Sequence, residues 1–212
     1  MKNKGIIFDI DGTIWDSTKG VLESWNKVLD RYEEVGYQMT MEQLHSYMGK
    51  VLEDIGKLFM PHIDAKKSLD IMQEAVEEEI SYLYQHPGKL YDGIEEVFSE
   101  LAKEYSLYII SNCQDGYIEL LFDLFDFHDY FTDCECSGRT GKGKGDNIKI
   151  VMERNHLNQA IYVGDTQGDL DATKEAQIPF VFAKYGFGKI DEDRPYINTP
   201  VELIPLVHEL LG

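Results

Sequence analysis

The stretch Ile6-Ile7-Phe8-Asp9-Ile10-Asp11-Gly12-Thr13-Ile14-Trp15 sets two carboxylates inside an apolar run. Burying a carboxylate without a partner is costly. Its position at the end of a strand-like segment, followed at once by a glycine, calls for something that compensates the charge. An EF-hand loop opening at Asp9 would need glycine at position 14 and glutamate at position 20, where this chain has Ile14 and Gly20. Two further Asp-x-Asp pairs, Asp169/Asp171 and Asp191/Asp193, lie in polar surroundings and read as solvated surface. Only the first ends an apolar run.

Other short apolar runs follow along the chain. Ser106–Ile110 (SLYII), Ala160–Gly164 (AIYVG) and Pro179–Ala183 (PFVFA) join Gly5–Phe8 as strands covered on both faces. Helical patterns over 93–105, 145–155 and 168–177 alternate with them, and Thr199-Pro200 opens a last helix. This alternation predicts an α/β fold, a doubly wound Rossmann-like core with a parallel sheet. Residues from Asp16 to Pro87 differ, with helices and no strand. Val21, Leu22, Trp25, Val28, Leu29 and Tyr32 form one stripe, Thr40 and Gln43 form a capping box, and Asp64–Tyr84 is long and amphipathic. The expected division is therefore a core of residues 1–15 and 88–212 with a small helical domain over 16–87. HPGKLYDG, 86–93, is the returning hinge.

In an open α/β sheet, ligands bind beyond the carboxyl ends of the strands. Asp9 and Asp11 follow the first strand, Ser111 and Asn112 the second, and Asp165 and Asp169 the third. The glycine-spaced loop RTGKGKGD carries Lys142 and Lys144 between them. If the three strands are neighbours, carboxylates, a hydroxyl and a lysine converge on one crevice.

Bulk properties narrow the field. The chain has 212 residues, with 43% hydrophobic and 12% aromatic residues, ample for a core. Its formal net charge of −19 opposes nucleic acid and anionic membrane as general partners. No apolar run has the length of a signal h-region or a membrane span, so a cytoplasmic location is expected. The three cysteines, Cys113, Cys134 and Cys136, read as reduced thiols, and no ligand spacing with His128 supports a zinc site.

The ordered set DIDGT, YIISN, Lys144 in GKGKGDNIK and VGDTQGDL resembles the four motifs of the haloacid dehalogenase-like hydrolase superfamily. The helical insert is similar to its C1 cap. DSTKGVLESW, SYMGKVLEDI and YGFG are similar to the phosphoglycolate-phosphatase-like subgroup. The resemblance implies a Mg²⁺-dependent phosphatase acting on a small phosphorylated metabolite. Asp9 would be the nucleophile, forming an aspartyl-phosphate, and Asp11 the general acid and base. Ser111 and Lys144 would hold the phosphoryl oxygens, with Lys144 favoured over Lys142 by its offset to the next helix. Metal ligands would be Asp9, the Asp11 carbonyl and Asp165, with Asp169 a further ligand or an orienting group. Thr13, Asn112 and the cap residue Lys50 are the expected substrate-binding residues, Lys50 suiting a second anionic group. A monomer or weak homodimer is expected. Trp15, Tyr47, Phe59 and Tyr117 read as packing, and YGFG as a turn near the site entrance.

Within the same superfamily, a sugar-phosphate mutase, a pyrophosphatase and a 5'-nucleotidase remain open at this stage. A metal-free dehalogenase and a phosphonate-cleaving member would lack an acid at Asp11. A non-catalytic phosphate-binding protein would typically have lost Asp9 or Asp11.

Overall fold

The computed structural model describes residues 3–212. Among these, a six-stranded sheet runs in the order β5-β4-β1-β6-β7-β8, with every neighbouring pair parallel. Its strands are β1 (Lys4–Phe8), β4 (Ser106–Ser111), β5 (Phe131–Cys136), β6 (Gln159–Gly164), β7 (Phe180–Ala183) and β8 (Tyr196–Ile197). β1 lies between β4 and β6, so the three strands that carry the motif residues are indeed adjacent.

Helices α5 (Ile94–Leu101), α6 (Tyr117–Phe125), α7 (Ser137–Thr140), α8 (Lys144–Arg154), α9 (Gln167–Ala176) and α10 (Leu203–Leu211) connect or follow the strands. Two apolar layers result. Ile6 and Phe8 pack into one with Val97, Phe98 and Leu121, while Ile7 packs into the other with Tyr108, Ile148 and Tyr162. Alternate residues of β1 thus enter opposite layers, as the period of a strand covered on both faces requires.

The four helices α1 (Thr18–Leu29), α2 (Met41–Tyr47), α3 (Leu52–Phe59) and α4 (Ala65–Leu83) form the insert. The expected capping box is present, with the Thr40 side chain and Gln43 bonded reciprocally at the start of α2. Asp64 caps α4 by accepting from the amides of Lys66 and Lys67. The apolar face of α1, including Val21, Trp25 and Val28, is buried, and α1 and α3 both pack on α4.

The two passages between insert and core pair with one another. β2 (Trp15–Asp16) runs antiparallel to β3 (Lys89–Leu90), and the Trp15 indole donates to the Pro87 carbonyl at 2.6 Å. Trp15 therefore does more than fill space: it ties both ends of the insert together. Three elements depart from expectation. β5 (FTDCEC) is an edge strand with a polar sequence, which hides it from an apolar-run reading. It takes up Cys134 and Cys136 as ordinary strand residues. β8 is only two residues long. Residues Pro200–Glu202 form a 3₁₀ turn ahead of α10, and the Thr199 side chain makes no cap bond. Among the described residues, no helix is long and apolar enough to cross a membrane.

Candidate active site

The carboxyl end of the sheet gathers the motif residues as strand order demands. Asp9 leaves β1 with its amide bonded to the Val163 carbonyl of β6 at 2.9 Å, and its side chain is buried. One carboxylate oxygen each from Asp9, Asp165 and Asp169 lies within 4.8 Å of the others. Lys144, the first residue of α8, is buried among them. Its ammonium sits 2.9 Å from Asp9 Oδ1 and 2.5 Å from Asp169 Oδ1. Lys142 is exposed.

Three buried acids facing one lysine leave excess negative charge. Burial, against the pull of Lys144, raises the Asp9 carboxyl to about 7. Burial together with Asp169 and Asp9 pushes Asp165 well above the usual carboxylate range. Burial alone would lower the Lys144 ammonium, but Asp169 and Asp9 outweigh it and hold it charged.

The distribution of partners separates the acids. Both oxygens of Asp169 are used: Oδ1 by Lys144, and Oδ2 by the Thr166 amide at 2.9 Å and the Thr166 hydroxyl at 2.7 Å. Asp165 Oδ2 accepts from the amides of Phe187 and Gly188 at 2.7 and 3.1 Å. Asp165 Oδ1, by contrast, is buried with no hydrogen-bond partner among the described residues, where Asp9 Oδ1 has only the Lys144 ion pair. An unpartnered buried carboxylate oxygen next to a second acid suits a hard divalent cation, which Mg²⁺ is. The donor set fits such an ion through Asp9 and Asp165, with Asp169 engaged in orienting Lys144.

YGFG thus has a role beyond that of a turn, since its backbone amides clamp Asp165. Close approach requires glycine here. A Cβ on Gly186 would come within 2.4 Å of the Gly12 carbonyl, and one on Gly12, at φ +83°, within 2.2 Å of Asp165 Oδ2.

Asp11 sits in a different environment. Its Oδ1 accepts from the Tyr117 hydroxyl at 2.8 Å and the Ser17 hydroxyl at 3.0 Å. Burial raises its carboxyl to about 6, with those two hydroxyls holding it down. Tyr117, read from the sequence as packing, does pack on Trp15, with ring centroids 5.5 Å apart. Its hydroxyl is nonetheless committed to Asp11. The tyrosine lies far along the chain, and no local pattern marks it.

The remaining expected residues divide between core and insert. Ser111 is buried at the end of β4, its hydroxyl accepting from the Cys113 amide at 3.3 Å. Thr13 is buried, its hydroxyl without a hydrogen-bond partner among the described residues, while its carbonyl accepts from Tyr185. Asn112 bridges core and insert: its amide donates to the Gly49 carbonyl at 2.7 Å and accepts from Ser137 at 2.7 Å. Lys50, next to Gly49, is exposed at the mouth of the cleft between insert and core. His45 of the insert stacks on Phe187, with ring centroids 4.9 Å apart. The insert therefore lies directly over the acids.

The sequence and the fold both have known relatives. The chain is similar to a phosphoglycolate phosphatase of Aquifex aeolicus, 25% identical over 95% of each chain. Among solved structures, a predicted phosphatase from Clostridium acetobutylicum superposes with a TM-score of 0.82 at 24% identity, covering 98% of this chain and 99% of the other. A haloacid dehalogenase-like family hydrolase from Streptococcus pneumoniae gives 0.77 at 24% identity over 97% and 99%. The model of the haloacid dehalogenase-like hydrolase family matches residues 6–183, which span the first strand, the insert and the Asp165 motif. A family model covering most of the chain, from the first strand past Asp165, shows that the chain belongs to the haloacid dehalogenase-like hydrolases.

Proposed function

We propose that the protein is a Mg²⁺-dependent phosphatase that hydrolyses a small phosphorylated metabolite through an aspartyl-phosphate on Asp9. One observation carries the reading: a buried aspartate at the end of the central strand, paired with a buried lysine, beside the unpartnered Asp165 oxygen. The naming of a curated relative as a phosphoglycolate phosphatase supports a phosphomonoester as the substrate class. The net charge of −19 supports a small diffusing substrate in the cytoplasm over a polyanionic surface.

Asp9 attacks phosphorus in line with the ester oxygen, and the leaving alkoxide takes the proton of Asp11. Water then enters on the same side. Asp11, now ionised, removes its proton as it attacks the aspartyl-phosphate and frees Asp9. Lys144, held by Asp169, and the Ser111 hydroxyl meet the phosphoryl oxygens. Bound at Asp9 and Asp165, Mg²⁺ would neutralise phosphoryl charge and relieve the repulsion among the acids. Residues 16–87 serve as a cap that closes over the site and excludes water, turning on the paired passages at Trp15 and Lys89. The presence of both Asp9 and Asp11 favours hydrolysis over the dehalogenase and binding-protein readings.

Release of p-nitrophenol from p-nitrophenyl phosphate tests the reading. Turnover should need Mg²⁺, stop with EDTA and return on adding Mg²⁺ in excess. Turnover indifferent to EDTA, or none under any condition, would contradict it.

Tyr117 is a positioning residue in this scheme, acting through Asp11. Tyr117→Phe removes one of two hydrogen bonds to the acid, worth about 1 kcal/mol. The variant should lose about five-fold in kcat on an alkyl phosphate, whose leaving oxygen needs the proton, with KM little changed. On p-nitrophenyl phosphate, with its weakly basic leaving group, the loss should be smaller. Equal losses on both substrates would assign Tyr117 to packing alone.

A further inference from the structure

A narrow cleft of about 80 Å³ lies between insert and core. Its catalytic end holds Asp9, Asp11 and Ser111. Away from these, the insert contributes Val21, Trp25, Leu44, Leu52, Ile55 and Val76 to its wall. One ionisable group stands among these apolar side chains: Glu79 of α4, itself 6% exposed. Glu79 Oε2 accepts from the Trp25 indole N–H. Lys50, the one cation lining the cleft among the described residues, lies exposed at its mouth.

Resting on the phosphatase reading above, we propose that the substrate is the phosphomonoester of an alcohol with an apolar body and no second anionic group, its far end a hydroxyl bonded to Glu79. The argument is one of charge and solvation. A leaving group in this cleft gives up water for aliphatic and indole surface, which suits a hydrocarbon body. A carboxylate or second phosphate there would be desolvated beside Asp11 and Glu79 with no buried cation to meet it. Lys50 offers its charge only at the mouth, where water already solvates an anion well.

Burial raises the Glu79 carboxyl to about 8, the Trp25 hydrogen bond offsetting only part of that rise, so at neutral pH the group is mostly protonated. A neutral carboxyl presents one donor and one acceptor, as a hydroxyl does, and the two are complementary. The substrate class inferred here differs from phosphoglycolate, whose far end is a carboxylate. The low identity to the relative of that name leaves room for the difference.

A matched substrate series tests the proposal on the wild-type enzyme with Mg²⁺: phosphomonoesters of straight-chain alcohols of graded length, ending in methyl, hydroxyl or carboxylate, with phosphoglycolate included. At the best length, kcat/KM for the hydroxyl-ended ester should exceed that for its carboxylate counterpart and for phosphoglycolate by about ten-fold or more. Glu79→Leu should reduce the hydroxyl-ended ester about ten-fold and leave the methyl-ended one within about three-fold. Glu79→Gln keeps an acceptor for Trp25 and should hold the hydroxyl-ended ester within about three-fold of wild type. A carboxylate-ended ester turned over as well as its hydroxyl counterpart overturns the proposal, whether or not either variant folds. So does Glu79→Leu lowering methyl- and hydroxyl-ended esters alike in a folded protein. Should p-nitrophenyl phosphate be hydrolysed without the hydroxyl preference, only this proposal fails. Should no phosphomonoester be hydrolysed, the phosphatase reading fails and takes the proposal with it.

Discussion

Asp9→Asn should abolish phosphate release, with a loss of about 10⁴-fold or more, and leave the protein folded. The size of the loss follows from the role: an amide oxygen does not displace an alkoxide from phosphorus, and removing a covalent nucleophile costs far more than removing a binding contact. The fold should survive because Asp9 is a source of stress as well as of chemistry. Its carboxyl is buried beside Asp165 and Asp169, and burial with the neighbouring charge raises it to about 7. Asparagine occupies the same space without the charge, and Lys144 keeps Asp169 as its partner. Thermal unfolding without metal should show a Tm equal to or above wild type. Activity near the wild-type level, with contaminating phosphatase excluded, would remove Asp9 from the mechanism. A collapse of Tm would instead show that Asp9 holds the site together.

Asp165→Asn is expected to uncouple the protein from its metal. The substitution preserves an oxygen for the amides of Phe187 and Gly188 but removes the charge whose second oxygen is buried without a partner. In wild type, Mg²⁺ should raise Tm, since a ligand that binds only the folded state stabilises it by RT ln(1 + [L]/Kd). In the variant that rise should shrink or vanish, while Tm without metal goes up, because one of three crowded acids has been neutralised. The Mg²⁺ concentration for half-maximal activity should increase by about 100-fold or more, comparable with losing a charged ligand. An Mg²⁺-induced Tm rise equal to that of wild type would show that the ion, if it binds, does so elsewhere.

The central strands are legible in the sequence because each is covered on both faces and so reads as an unbroken apolar run. Ile6-Ile7-Phe8, Leu107–Ile110 and Tyr162-Val163 all fall where expected. β5 is not legible by that signal. It pairs on one side only, so Asp133 and Glu135 can point into its polar flank, where Arg154 meets both. Asp9, Ser111 and Asp165 are legible for the same topological reason: each closes or directly follows a strand, so placing the strands places them, whereas Lys144 opens α8 and Asp169 lies in the first turn of α9. Residues that reach the site from elsewhere leave no such trace. Tyr117 comes from the first turn of α6 and Glu79 from α4, a separate layer of the insert. Neither shares spacing with Asp11 or with the other, and only tertiary packing brings them to the cleft. The clamp on Asp165 is made of backbone amides, which carry no side-chain signature at all.

Acid-quenched mass spectrometry of the enzyme mixing with p-nitrophenyl phosphate and Mg²⁺ examines the covalent step itself. Wild type should carry the added mass of one phosphoryl group on the peptide that contains Asp9, and the label should be released by hydroxylamine as an acyl phosphate is. Asp9→Asn should carry none. A phosphoryl group on another residue, or full turnover with no labelled enzyme at any quench time, would contradict attack by Asp9.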